Sequence, residues 1–336
     1  MERGERSALT RGRLTRSLGV LVTLVVSGVF GYFAVRDIKF RATWHALGAS
    51  NYWWLAPSLI ALAASVTLRI IRWQTLFRPD RRPALGSLAK AALVGYFFNS
   101  ILPARAGEIT RIIALKRYAG TSRAETTVTI VVERIFDVSS LVVLLFVILP
   151  WLPHVSWLGP AAIVAFVCLV ALVALIVFGR LASDCPRRIP GLSDETVGRL
   201  IGNVVHGLAT LGRPRQALAA LCWTFLSWSV LGLSFWFLMI GFDLGLSPLA
   251  GLLVVIATGL AFIIPAAPAA VGVFEAAGLA VTSAYGIPRS QALAYVLVLH
   301  VLNFAPFILA GLLVLAVNPR RARATTASVG RVRSRA

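Results

Sequence analysis

Asn99, Arg105, Glu108, Arg111, Glu133, Arg134 and Asp137 bring charge and hydrogen-bonding capacity into a stretch of this chain that is otherwise strongly apolar. The run NSILPARAGEITR (99–111) follows the apolar segment ALVGYFF and sets two arginines and an acid beside Pro103 and Gly107. Proline ends a helix and glycine lets backbones approach closely, so Arg105 and Arg111 would offer planar, bidentate donors to an anionic group, with Glu108 as the internal counter-charge.

The second concentration is VVERIFD, where Glu133, Arg134 and Asp137 share one helical face about 100° wide and can pair with one another. An unpartnered charge inside a membrane span costs about 2.5–3.5 kcal/mol, so these three require partners, drawn from Arg105, Arg111 or each other. Two roles fit them: an ion-pair network that fixes the broken segment against this helix, or contact with a charged substrate. Further along, PAAPAAVGVFEAAG makes Glu275 the only charge between Asp243 and Arg289, after Pro265, Pro268 and Gly272. A lone acid there serves either unwound backbone or a proton or headgroup site. His300 and Asn303 lie three residues apart on one face and suit interhelical hydrogen bonding or the same headgroup. The candidate lipid-headgroup set is therefore Asn99, Arg105, Glu108, Arg111, Glu133, Arg134, Asp137, Glu275, His300 and Asn303. Pro103, Gly107, Pro265, Pro268 and Gly272 are the candidate helix breaks.

These residues must be positioned by a membrane domain. Of 336 residues 58% are hydrophobic and only 14% charged, far more apolar than an ordinary soluble domain. Apolar runs at 18–35, 52–71, 127–149, 156–178, 217–241 and 291–317 are long enough to cross about 30 Å of hydrocarbon as helix. The interrupted stretches 86–102 and 248–285 predict broken or re-entrant hairpins. The expected fold is an all-α polytopic membrane protein with about six full crossings and two such hairpins.

A net charge of +20 would point to nucleic acid in a soluble domain. Here 28 of the 33 Lys and Arg residues fall in five segments, 1–16, 69–90, 105–123, 180–215 and 320–335, which six crossings bring to one side. That is the positive-inside pattern, so the charge implies topology and anionic lipid rather than nucleic acid. Both termini are expected in the cytoplasm, the chain in the plasma (inner) membrane. The first apolar run lacks a convincing cleavage site and is expected to remain as a span. Cys168, Cys185 and Cys222 imply neither a disulfide framework nor a thiolate metal site, and His45, His154 and His206 suit interfacial positions. No metal or cofactor is expected.

The basic segment 1–17 precedes a first half over 18–178. Residues 192–213 carry an apolar stripe with Ser193 as N-cap, which predicts an amphipathic interfacial helix between the halves. A second half spans 217–317 and a basic tail follows at 318–336. The halves share a faint repeat: Pro103-x-x-x-Gly107 against Pro268-x-x-x-Gly272, and Arg134-x-x-Asp137 against His300-x-x-Asn303. In the six-crossing topology the repeats are inverted, which is a transporter architecture.

At these residues, over roughly 18–317, the sequence resembles the transmembrane-domain family of lysylphosphatidylglycerol synthases and flippases. The likeness rests on Asn99, Pro103-x-Arg105-x-Gly107-Glu108-x-x-Arg111, Glu133-Arg134-x-x-Asp137, and Pro268 followed by Gly272-Val273-Phe274-Glu275. It implies a non-enzymatic translocator of an anionic phospholipid or a polyprenyl-phosphate-linked intermediate. The family pattern has Pro-Gly-Gly where this chain has Pro268-Ala269-Ala270. The tail is too short for a synthetase domain, so none is expected. Two other functions remain: a membrane-embedded transferase using a polyprenyl-phosphate donor, which would have to work from Glu108, Glu133 and Asp137 without a D-x-D motif, and a non-transporting partner of a glycosyltransferase or synthetase.

Overall fold

The computed structural model describes residues 25–32, 36, 40–102, 106–153, 159–160, 163, 166–167, 170, 214–262 and 267–317. The expected interfacial helix over 192–213, both terminal basic segments, much of the spans at 18–35 and 156–178, and Pro103, Arg105 and Pro265 lie outside the described residues. The described elements are helices: α1 (25–32), α2 (Phe40–Ala49), α3 (Leu55–Thr75), α4 (Leu85–Ile101), α5 (Ala106–Ala119), α6 (Arg123–Ile148), α7 (Pro214–Gly241), α8 (Pro248–Ala261), α9 (Val273–Ala284) and α10 (Arg289–Val317).

Among the described residues three segments are long and apolar enough to cross a membrane, Tyr52–Thr75, Arg215–Gly241 and Arg289–Val317. Helix α6 has 26 residues, length enough at 1.5 Å per residue, but Glu133, Arg134 and Asp137 interrupt its apolar character. Between the long helices lie two pairs of short ones. α4 and α5 have 17 and 14 residues, and α8 and α9 have 14 and 12. Each of α5, α8 and α9 would extend only about 18–21 Å, too little for a full crossing. The chain thus runs long, short, short, long through α3–α6 and again through α7–α10.

Local sequence accounts for the ends. Asn51 caps the turn before α3 by accepting the Trp53 N–H at 3.1 Å, and Ser122 starts α6 by accepting from Glu125 at 3.0 Å. Pro248 opens α8 at its first position, where a missing N–H costs nothing. Pro306 lies inside α10 and removes one hydrogen bond from that helix.

Helices α3 and α7 run antiparallel, sewn together by small polar residues. The Ser58 hydroxyl donates to Ser234 O at 2.7 Å, Ser234 returns the bond to Ser58 O at 2.8 Å, and Ser65 donates to Ser227 O at 2.7 Å. Hydroxyls of this kind let backbones pack closely without leaving polar atoms in hydrocarbon. One apolar core lies among α6–α10 around Phe235, Met239, Val254 and Tyr295, and a second among α3–α6 around Trp73, Leu88 and Leu115. Large apolar side chains also face outward, Val147, Leu218, Val301 and Leu309 among them, as lipid-facing surfaces require. Arg72, Arg111, Glu133, Asp137 and Glu275 are turned inward.

Candidate functional site

Where α3, α5, α6 and α7 meet, the apolar interior holds a network of guanidiniums and carboxylates. Glu133 lies ten residues into α6, about 15 Å from its start. Its carboxylate accepts two parallel bonds from Arg111 of α5, at 3.1 and 3.0 Å, and a third from Arg134 at 3.1 Å. Arg72 of α3 approaches the same carboxylate at 3.4 Å and meets Asp137 Oδ1 at 2.5 Å. Arg134 Nη1 lies 3.5 Å from the other Asp137 oxygen, and its Nε lies 3.2 Å from Glu108. Charge-assisted bonds of this density offset the desolvation that would otherwise keep these groups out of the membrane interior.

Aromatic rings complete the network. The Arg111 guanidinium lies over Trp73 at 4.0 Å, and Trp73 donates its indole N–H to Thr129 at 3.1 Å. Trp228 of α7 donates to Asp137 Oδ1 at 3.3 Å, while Arg69 of α3 lies over its ring at 4.0 Å. Arg72 also donates to Thr224 at 3.3 Å. Exposure divides the site into a floor and a rim. The side chains of Arg72 and Arg111 are 0% and 3% exposed, whereas Arg134 and Glu108 keep 37% and 26%.

The α4–α5 pair brings Arg111 to this floor by close backbone approach. Asn99 Oδ1 accepts the Gly107 N–H at 2.8 Å, which ties the end of one short helix to the start of the next. A Cβ on Gly107 would run into Gly95 O and the Asn99 side chain, and one on Gly95 would run into the Arg111 side chain. Glycine is required at both.

In the second half Glu275 has two partners. Its Oε2 accepts the Gly272 N–H at 2.7 Å, capping α9, and its Oε1 lies 2.7 Å from His300 Nδ1 on α10. His300 stacks on Phe304 at 4.6 Å between centroids and meets Phe274 edge-on at 5.2 Å. The turn before α9 carries left-handed backbone at Ala269 (φ 55°), Ala270 (φ 56°) and Gly272 (φ 87°). Ser27 of α1 reaches this turn, accepting the Ala267 N–H at 2.7 Å.

Of the sequence candidates, Glu108, Arg111, Glu133, Arg134 and Asp137 converge in one network, and Glu275 joins His300 in another contact. Asn99 joins the two short helices, and Asn303 lies half-buried three residues beyond His300 on α10. Arg105 lies outside the described residues. Glu108 faces Arg134 rather than the neighbouring Arg111, and the nearest partner of Asp137 is Arg72 rather than Arg134. Arg69 and Arg72 were missed because the 69–90 cluster reads as positive-inside charge. Their signal was position: both precede the end of a membrane-length helix, beside Trp73. Among the described residues no three His, Cys, Asp or Glu side chains are grouped as metal ligands.

The sequence matches the family described as Lysylphosphatidylglycerol synthase TM region over residues 20–311, nearly the whole chain and both clusters. The chain belongs to that family. It is also similar to the UPF0104 membrane protein MJ1078 of Methanocaldococcus jannaschii, at 25% identity over 64% of this chain and 91% of the relative. The UPF0104 membrane protein PH1989 of Pyrococcus horikoshii is 23% identical over 77% of this chain and 85% of its own length. As a member of the Lysylphosphatidylglycerol synthase TM region family, the chain is a membrane protein whose apolar helices enclose a charged interior.

Proposed function

We propose that this protein moves a phosphate-bearing lipid between the leaflets of the plasma membrane. The observation that carries the proposal is the half-open rim of the buried network, where Arg134 and Glu108 remain accessible above the buried ion pairs of Arg72 and Arg111. A polar rim of this kind can hold a headgroup while acyl chains stay against the apolar exterior, and polar groups inside a membrane mark substrate paths by default. The family's description points to the same class of lipid, so an anionic phospholipid or a polyprenyl-phosphate-linked intermediate is the substrate class.

The two long-short-short-long segments support a further element, an inverted repeat. Arg289 follows Arg123 by 166 positions at the starts of α10 and α6, and Gly241 follows Thr75 by the same interval at the ends of α7 and α3. The broken segments would then approach the midplane from opposite sides, as alternating access requires. Positive-inside charge puts both termini in the cytoplasm. The test is translocation of a fluorescent or chemically reducible phospholipid in vesicles containing the purified protein. Movement no faster than in protein-free vesicles, for both phosphatidylglycerol and polyprenyl-phosphate lipids, would overturn the proposal.

A further inference from the structure

Among the described residues, four guanidiniums gather around the network, and three of them, Arg72, Arg111 and Arg134, are ion-paired to the three acids Glu108, Glu133 and Asp137. Arg69 is the fourth. It meets no carboxylate within ion-pair distance among the described residues and lies instead over the face of Trp228 at 4.0 Å. Stacking supports a cation without neutralising it, and it leaves the in-plane N–H donors of the guanidinium directed outward. Trp228 is itself fixed, because its N–H is bound to Asp137. The Arg69 edge is therefore held in place and half-buried, six residues before the end of a helix that crosses the membrane. A cation at that depth with no carboxylate in direct contact is costly unless an anion completes it. Asp137, reached through the Trp228 ring, attracts Arg69 from beyond ion-pair distance, while Arg72 and Arg134 repel it.

We propose that Arg69, laid flat on Trp228, receives the phosphate of the lipid as a singly charged phosphodiester. This rests on the lipid-transport reading and adds to it the residue and the charge recognised. Among the described residues the three-against-three pairing leaves Arg69 without a carboxylate of its own, and a phosphodiester monoanion would supply that counter-charge. The fork geometry of Arg69 favours two oxygens of one phosphate over a lone carboxylate oxygen. The recognised chemistry is phosphate, whether it arrives on a lipid or free.

The experiment uses full-length protein in mild detergent and follows thermal unfolding with added dioctanoyl-phosphatidylglycerol, dioctanoylglycerol or inorganic phosphate, for wild type, Arg69→Gln, Arg69→Lys and Arg72→Gln. The proposal expects stabilisation by phosphatidylglycerol, none by the phosphate-free diacylglycerol, an apparent Kd weakened about tenfold or more in Arg69→Gln, and an intermediate value in Arg69→Lys. It also expects Arg69→Gln, without lipid, to unfold no earlier than wild type, because an unmatched cation has been removed. A response to inorganic phosphate that disappears in Arg69→Gln supports the site and assigns it to free phosphate. Wild-type phosphatidylglycerol affinity in Arg69→Gln, or lipid-free destabilisation as large as in Arg72→Gln, overturns it. Vesicle translocation stands apart: loss of transport reading with Arg69-dependent binding retained refutes only the transporter.

Discussion

Glu108 and Arg134 in the first half meet at 3.2 Å, and Glu275 and His300 in the second meet at 2.7 Å from the same places in their elements. Each acid is the third residue of a short helix, and each basic partner stands eleven positions after the start of the long helix that follows. One contact joins a carboxylate to a guanidinium. The other is an ion pair only when the imidazole carries a proton.

That difference predicts unequal responses to substitution. His300→Leu removes the partner of Glu275 Oε1 while Oε2 keeps the Gly272 N–H, and thermal unfolding should show a loss of about 1–3 kcal/mol for the buried acceptor left unsatisfied. His300→Arg keeps a cationic donor beside Glu275 and should retain most of that stability. The Phe274 and Phe304 rings beside His300 can also stack on a guanidinium. Wild-type melting in His300→Leu would show that Glu275 does not depend on this partner.

The turn before α9 predicts stabilising substitutions. Ala269 and Ala270 both adopt left-handed backbone, at φ 55° and 56°. That conformation costs an L-residue about 1–2 kcal/mol, while glycine gives back about 0.5–1 kcal/mol through unfolded-state entropy. Ala269→Gly and Ala270→Gly should each raise stability by about 0.5–1 kcal/mol, measured as an upward shift in melting temperature. Equal or lower melting temperatures in both variants would contradict the strained turn.

Much of this architecture was legible in sequence because membrane constraints are strict. Apolar length located α3, α7 and α10, and Pro and Gly located the α4–α5 and α8–α9 interruptions. The convergence of Glu133 with Arg111 was also foreseeable, since neither could remain alone in hydrocarbon. Partner choice was less accessible. Asp137 pairs most closely with Arg72, which is 65 positions away, and only the packing of α3 against α6 and α7 selects it over neighbouring Arg134. Arg69 was hidden because a basic cluster at a helix end also satisfies the positive-inside rule. The Trp228 ring that separates its role from topology belongs to another helix.

The α4–α5 pair should be intolerant of one methyl group. In Gly107→Ala the new Cβ meets Gly95 O and Asn99, and backbone atoms on both sides limit relief. A cost of about 2–4 kcal/mol is expected, above the usual overpacking range because the obstruction includes backbone. Gly95→Ala meets the Arg111 side chain instead, so it should act by displacing that guanidinium from Glu133. Cysteine pairs introduced across the two helices would report the separation. Wild-type melting in Gly107→Ala would refute the close approach.

The Arg72–Asp137 contact makes the sharpest test of the floor. Arg72→Gln leaves Asp137 with only Arg134 at 3.5 Å and the Trp228 N–H at 3.3 Å, and Asp137→Asn leaves Arg72 with Glu133 at 3.4 Å. Breaking a buried pair from one side typically costs about 3–5 kcal/mol, because the survivor's desolvation is no longer offset. Removing both charges together removes that penalty, so Arg72→Gln with Asp137→Asn should be less destabilised than the sum of the single changes by about 1–3 kcal/mol. The coupling should exceed that between Arg134 and Asp137, whose separation is longer and whose cation is partly exposed. Melting temperatures of the single and double variants in detergent measure both cycles. Coupling near zero for Arg72 and Asp137, with larger coupling for Arg134 and Asp137, would mean that α3 does not supply the cation on which Asp137 depends.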